Sequence, residues 1–324
     1  MLSGKYMEMA SMTKLHDFIS RHDMLYGAAF PFLALRRNWL EHKKRVFYEK
    51  LRQDLSSETI VKFKDFHMSL DPTSAHDLQL FVLYKQGRLF EPGLSTILSI
   101  VLKRGMTFVD IGANNGYFTL FASQLVGSEG MVYSVEPSER NFRRLKNNLL
   151  INSISNVFPF MKAVSDHTGT ATFYLSDYED GLDSLERYPS HTKASAVEVD
   201  SLDRLLPNAK VDFMKVDVEG FEVETLIGAE QILSSNESIF LSVEYNKNLV
   251  HRRKIGYDAL FDKLLDSNFL IREILETEQN TGYSYTRPLV SIKNVYSHSD
   301  MTTGFANLLC FRKCNLHFVE RMLI

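Results

Sequence analysis

The stretch from Phe108 to Gly116 reads F-V-D-I-G-A-N-N-G. With Thr107 in front, T-F-V-D-I is rich in β-branched and aromatic residues and short, so it reads as a buried strand at Thr107–Ile111. Gly112, Asn114 and Gly116 then form a turn ahead of an apolar helical segment at Tyr117–Val126. Glycines at such a turn let backbone approach a ligand without a Cβ in the way. Strand, glycine turn and helix make a small-molecule cradle, although the same arrangement also serves as plain chain reversal.

Spacing separates the cofactors that use such a turn. A dinucleotide fingerprint needs glycine at its first, third and sixth positions, which here are Gly112, Asn114 and Tyr117. A phosphate-binding loop needs its second glycine followed by Lys and Ser or Thr, whereas Gly116 is followed by Tyr117 and Phe118. What remains is a loop opened by Asp110 and lacking lysine, suited to a ligand with ammonium and sulfonium charges, as S-adenosylmethionine (SAM) has. The next strand, Met131–Glu136, ends in a carboxylate able to accept hydrogen bonds from two ribose hydroxyls. Glu136 alone fits SAM or NAD, and the failed dinucleotide spacing turns the choice to SAM.

Outward from this point, short apolar runs alternate with helix-period segments, the pattern of βα units in a doubly wound sheet. Further strands are expected at Val157–Val164, Val211–Asp217, Ser238–Glu244, Phe269–Ile274 and Ala306–Phe311. Helices are expected at Glu139–Leu150, capped by Ser138, and at Glu222–Leu233 and Tyr257–Asp266. From Thr168 to Asp203 the rhythm breaks: Thr170–Leu175 and Val197–Asp200 read as strands without a crossover helix, hence an inserted hairpin near the site. Residues 1–75 read as an N-terminal helical extension carrying a basic cluster from Arg36 to Arg45, and residues 76–324 as the main domain.

Composition narrows the function. The 324 residues are 44% hydrophobic, enough for a large core, and 37 Lys plus Arg against 40 Asp plus Glu leave a net charge of -3. That balance argues against a nucleic-acid partner. No early apolar run is long enough to span a bilayer or to act as a signal peptide. Cys310 and Cys314 offer neither a disulfide framework nor a zinc site, which points to a reducing cytoplasm.

The sequence resembles the FkbM family of SAM-dependent methyltransferases. The likeness runs from about Phe81 to Phe311 and is carried by Glu91-Pro92, D-I-G-A-N-N-G at 110–116, V-E-P at 135–137, A-V-S-D at 163–166, S-L-D at 201–203, K-V-D-V-E-G-F-E at 215–222, V-E-Y at 243–245 and N-L-L at 307–309. It implies a Rossmann-like class I methyltransferase sheet of seven strands, mostly parallel with the last antiparallel. It also implies SAM as donor and methylation of a hydroxyl on a sugar, glycan or secondary metabolite. By the same resemblance Asp110, Gly112, Asn114 and Gly116 hold the amino-acid end of SAM, Glu136 the ribose, and Ser165 and Asp166 lie near adenine. Glu91 either reaches SAM, closes the pocket or merely precedes a helix begun by Pro92.

In K-V-D-V-E-G-F-E, Asp217 and Glu219 stand two apart, on one face of a strand at the edge where open α/β sheets bind ligands. Asp217 is the candidate to orient or deprotonate an acceptor hydroxyl, with Glu219 as helper; alternatively Glu219 serves the following helix start. No metal is required by this reading, though Asp217, Glu219 and Glu244 are also oxygen ligands of a kind that magnesium or calcium accepts. The rival readings are an NAD-dependent oxidoreductase or epimerase on a similar sheet and a non-catalytic methyltransferase-like interaction protein.

Overall fold

The computed structural model describes residues 49–53, 55, 57–176, 183–188, 191–275 and 291–322. The chain divides into two compact units, residues 1–56 and residues 57–324, and the elements of the fold belong to the second. The basic cluster from Arg36 to Arg45 lies outside the described residues.

Among the described residues eight strands make the central sheet: β3 (Thr107–Ile111), β4 (Met131–Val135), β5 (Val157–Phe160), β9 (Phe213–Val216), β10 (Phe240–Asn246), β11 (Leu270–Leu275), β12 (Ser291–Asn294) and β13 (Phe305–Phe311). Their order is β12-β11-β13-β10-β9-β3-β4-β5. Strands β5, β4, β3, β9 and β10 run parallel, and β13 is antiparallel to both β10 and β11. This is the expected class I methyltransferase sheet, with one strand more than the seven expected. The addition, S-I-K-N at the edge beside β11, has too little β-branched or aromatic character to announce itself. Strands β3 and β9 are buried along their whole length, as parallel strands covered on both faces must be.

Helices α1 (Ala75–Lys85) and α2 (Pro92–Val101) lie ahead of β3. Helix α3 (Tyr117–Val126) follows the glycine turn where expected. Helix α4 (Glu139–Ile151) begins at Ser138, but the Ser138 side chain makes no capping bond. Its backbone N–H donates to Glu136 Oε1 at 2.8 Å, which fixes the residue that leads into the helix. The expected helix at Glu222–Leu233 is two short ones, Glu222–Ile227 and Glu230–Ser235. Between them a Cβ on Gly228 would meet the Ser165 carbonyl oxygen at 2.0 Å; this glycine lets a crossing segment pass against the break.

The expected strand Val157–Val164 also divides. Pro159 holds β5 to the sheet edge, where a missing N–H costs no ladder bond. Ala163–Val164 (β6) then leaves to pair with β8 (His191–Asp200). With β7 (Gly169–Ser176), antiparallel to β8, it forms a three-stranded sheet packed on Phe173, Val197 and Val199. The expected insertion is this hairpin.

One element differs in kind from the sequence reading. Thr59–Phe63 (β1) and Phe66–Leu70 (β2) form an antiparallel hairpin where helix is expected. Val61, Phe63, Phe66, Met68 and Leu70 are buried, a period of two within each strand that is visible in the sequence; the Lys64-Asp65 turn lacks the glycine or asparagine that usually marks a hairpin. Asn148 on α4 and Asn152 at its end accept the backbone N–H groups of Ser69 at 2.8 Å and His67 at 2.7 Å, fixing the hairpin to the main fold. Among the described residues no helix is long and apolar enough to cross a membrane.

Candidate functional site

Sheet register gathers the polar residues at the carboxyl end of the parallel strands. Asp110 on β3 lies opposite Lys215 on β9, which lies opposite Ser242 on β10; Glu244, two residues on, lies opposite Asn307 on β13. Side chains two apart on a strand share a face. Asp217, whose N–H donates to the Ile111 carbonyl at 3.0 Å just beyond β9, therefore joins Lys215, Asp110, Ser242 and Glu244 on one side of the sheet.

Lys215 sits at the centre of this group. Its Nζ is 2.7 Å from Asp217 Oδ2, 4.0 Å from Asp110 Oδ1 and 5.3 Å from the centre of the Phe118 ring. Burial opposes its charge, but Asp217, Asp110 and Glu91 outweigh burial and hold the ammonium pKa above the usual lysine value. Asp110 is fully buried, and burial raises its carboxyl pKa against the pull of Lys215 and Thr119. Thr119 Oγ1 donates to Asp110 Oδ2 at 2.6 Å, while Oδ1 is buried with no hydrogen-bond partner among the described residues.

The glycine turn is closely packed, and protein atoms explain its glycines. A Cβ on Gly112 (φ 80°) would lie 1.7 Å from the Asp217 carbonyl oxygen, and one on Gly116 (φ 92°) 2.5 Å from Leu145 Cδ1. The first is the contact that draws the ends of β3 and β9 together. Asn114, also in the left-handed region at φ 49°, donates its N–H to Glu136 Oε2 at 2.8 Å. Glu136 thus ties the turn to the start of α4. Burial pushes its pKa up to about 8 in spite of the two N–H groups from Ser138 and Asn114.

Glu91 and Pro92 stand where the chain enters α2, with Glu91 at φ 39°. Glu91 Oε2 accepts from Asn307 Nδ2 at 2.9 Å, and its charge acts on Lys215, which brings Glu91 to the same cluster. Glu219 has φ 52°. Burial, with Asp217 and Glu222 close by, pushes its carboxyl well above the usual range, and Glu244 is raised by burial with Asp217 and Glu219 nearby. Glu222 braces the loop ahead of its helix: its Oε1 accepts from Gly220 N at 3.0 Å and Val218 N at 3.3 Å, and burial lifts its pKa to about 7.

The insertion reaches both ends of the site. Ser184 Oγ donates to the Glu219 carbonyl at 3.0 Å. Asp183, paired with Arg140 at 3.0 Å, acts electrostatically on Glu136. Ser165 and Asp166 bond to their surroundings after β6: Ser165 N–H donates to the Asp200 carbonyl at 3.1 Å, and Asp166 Oδ1 lies 2.7 Å from His167 Nδ1. His191 opens β8 and is buried, its Nδ1 accepting the Tyr188 N–H at 3.0 Å.

Sequence reasoning gave no site role to Lys215, Thr119 or Asn307. The K-x-D alternation at 215–217 is the signal for Lys215, since it puts the ammonium and the candidate catalytic carboxylate on one face. Thr119 and Asn307 become legible only once β3, α3 and β13 are brought together.

The family model described as the methyltransferase FkbM domain matches residues 110–285. Comparison with curated proteins yields no match. Among solved structures the chain is similar to an FkbM methyltransferase from Methylobacillus flagellatus at 15% identity and a TM-score of 0.40, covering 74% of this chain and 61% of that one. It is similar to a SAM-dependent O-methyltransferase from Thermotoga maritima at 13% identity and 0.41, covering 79% and 78%, and to TYW2 of M. jannaschii in complex with AdoMet at 13% and 0.37, covering 79% and 87%. The family match takes in more than half of the chain, beginning at Asp110 and including both Glu136 and the 215–222 motif. The chain belongs to the FkbM family and is a methyltransferase that depends on S-adenosylmethionine.

Proposed function

We propose that the protein methylates a hydroxyl on a sugar, glycan or secondary metabolite, with Asp217 as the group that orients or deprotonates that hydroxyl and Glu219 as its helper. The observation that carries this reading is the carboxylate cluster of Asp217, Glu219 and Glu244, whose oxygens lie within 4.8 Å of one another. Such a surface repels phosphodiesters and accepts hydrogen bonds from neutral hydroxyls. Glu219 adds a second indication: a non-glycine residue in the left-handed region costs on the order of 1 to 3 kcal/mol, and such strain collects at functional sites.

The residues present fit SAM. Asp110 Oδ1, 4.0 Å from Lys215 Nζ, is a buried acceptor without a hydrogen-bond partner among the described residues, which suits an ammonium-bearing ligand. In this reading Asp110, Gly112, Asn114 and Gly116 hold the amino-acid end, Glu136 the ribose, Glu91 closes the pocket through Asn307, and Ser165 and Asp166 lie towards adenine. The bound donor supplies a methyl group on a positively charged sulfur. The chain's own task is alignment of the acceptor oxygen, which can lower a barrier by about 7 to 11 kcal/mol, with proton removal adding about 10² to 10⁴-fold. Residues 76–324 are the catalytic domain of this proposal. A reducing, cytoplasmic setting belongs to it too, in keeping with a buried Cys310 and an exposed Cys314 that are both free thiols.

The test is transfer of isotopic label from methyl-labelled SAM to a panel of monosaccharides, glycans and hydroxylated metabolites, with tRNA and rRNA fragments alongside. Label in an O-methyl ether, lost with Asp217→Asn, is the expected outcome. Label that appears only in nucleic acid would overturn the reading.

A further inference from the structure

We propose that Asp217, Glu219 and Glu244 form a binding site for one divalent cation of the magnesium or manganese class. One carboxylate oxygen from each of the three lies within 4.8 Å of the others, a spacing that a single ion can bridge with small side-chain adjustments. Glu244 supplies an independent indication of a missing ligand. It is 7% exposed, and its Oε2 is buried with no hydrogen-bond partner among the described residues. A buried carboxylate oxygen is ordinarily satisfied, because leaving it bare costs far more than a neutral group would. Ser242 Oγ, on the same face and fully buried, also lacks a partner among the described residues.

Other claims on these oxygens do not fill the site. Lys215 engages Asp217 through Oδ2 at 2.7 Å, so the ammonium occupies one of the two oxygens of that carboxylate. Glu222 serves the backbone N–H groups of Val218 and Gly220, and Glu91 accepts from Asn307. Among the described residues Lys215 is the cation paired with Asp110 and Asp217, and a divalent ion would offset the negative charge that Glu219 and Glu244 add when ionised.

The donor set selects the ion. Three carboxylates with no nitrogen or sulfur ligand suit hard cations, and in an octahedral shell they leave about three positions for water or a substrate oxygen. The site is built from the end of β9, the loop after it and the end of β10, elements fixed by the sheet. An ion there would hold the acceptor oxygen that the carboxylates otherwise hold themselves. That role rests on the proposed hydroxyl methylation, whereas binding of the ion does not.

The experiment is titration of the full chain with Mn²⁺ alone, followed by electron paramagnetic resonance of the free ion and by calorimetry, on wild type, Asp217→Asn, Glu219→Gln and Glu244→Gln. S-adenosylhomocysteine binding and thermal melting report on the fold of each. The expected result is one Mn²⁺ per chain in wild type, displaced by Mg²⁺, with affinity reduced at least tenfold in each folded variant while S-adenosylhomocysteine still binds. Wild type that takes up no Mn²⁺ at millimolar concentration, or folded variants that bind it as tightly as wild type, would overturn the proposal. Because no acceptor is present, a failure here is distinct from a failure of hydroxyl methylation.

Discussion

Gly112 and Asp217 meet through the backbone: the place of a Gly112 Cβ is 1.7 Å from the Asp217 carbonyl oxygen. The cofactor turn and the candidate catalytic carboxylate are thereby built on one contact, supported by the Asp217 N–H to Ile111 carbonyl bond at 3.0 Å. Gly112→Ala forces a side chain into that contact at φ 80°. Overpacking and left-handed strain together predict a loss of about 3 kcal/mol or more, read as a lower melting temperature, with SAM binding weakened in parallel.

Glu136 makes stability depend on pH. Its pKa is raised from 4.5 to about 8, so between those values the folded chain keeps a proton that the unfolded chain has lost. Stability therefore falls as pH rises through that window, by at most about 1.4 kcal/mol for each pH unit crossed. Glu222, raised to about 7, acts in the same direction. Unfolding free energy of the ligand-free protein is expected to fall accordingly, and Glu136→Gln to flatten the fall. Denaturant melts at a series of pH values measure both.

Glu222 holds the loop after β9 by accepting the N–H groups of Gly220 and Val218. Glu222→Gln retains an acceptor oxygen, whereas Glu222→Ala leaves both donors bare. The alanine variant should lose about 1 to 3 kcal/mol more stability than the glutamine one. Amide hydrogen exchange at Val218 and Gly220 should rise in the alanine variant alone.

Asp217→Asn keeps the shape of the side chain and removes its charge. Turnover is expected to fall about 10² to 10⁴-fold with SAM affinity changed by less than about tenfold, since the residue acts on the acceptor. Single-turnover transfer and a SAM titration separate the two effects. Loss of SAM binding with unaltered single-turnover rate would place Asp217 on the cofactor instead.

Much of the site was legible because it lies on local signals. The turn at Gly112–Gly116 and the acid at the end of β4 follow from a strand, its glycines and the next strand, all within one βα unit. Asp217 and Glu219 were picked out by their spacing on an expected strand, but β9 ends at Val216 and Glu219 lies beyond it at φ 52°. The hairpin at 59–70 was not, because its turn is Lys64-Asp65 and its alternation competes with helical spacing in the same segment. The division of Val157–Val164 was hidden because departure of β6 to β8 depends on a partner about 36 residues away, at Val199 and Asp200. The glycines were found for an incomplete reason: the space they free is occupied by Asp217 and Leu145.

The most direct test is calorimetric titration of wild type, Asp110→Asn and Glu136→Gln with SAM and with NAD, each variant first shown by its melt to be folded. SAM binding at micromolar concentration or tighter by wild type, weakened at least tenfold in both variants, with no binding of NAD, is the predicted result. Folded wild type that binds NAD and not SAM would contradict the account at its centre.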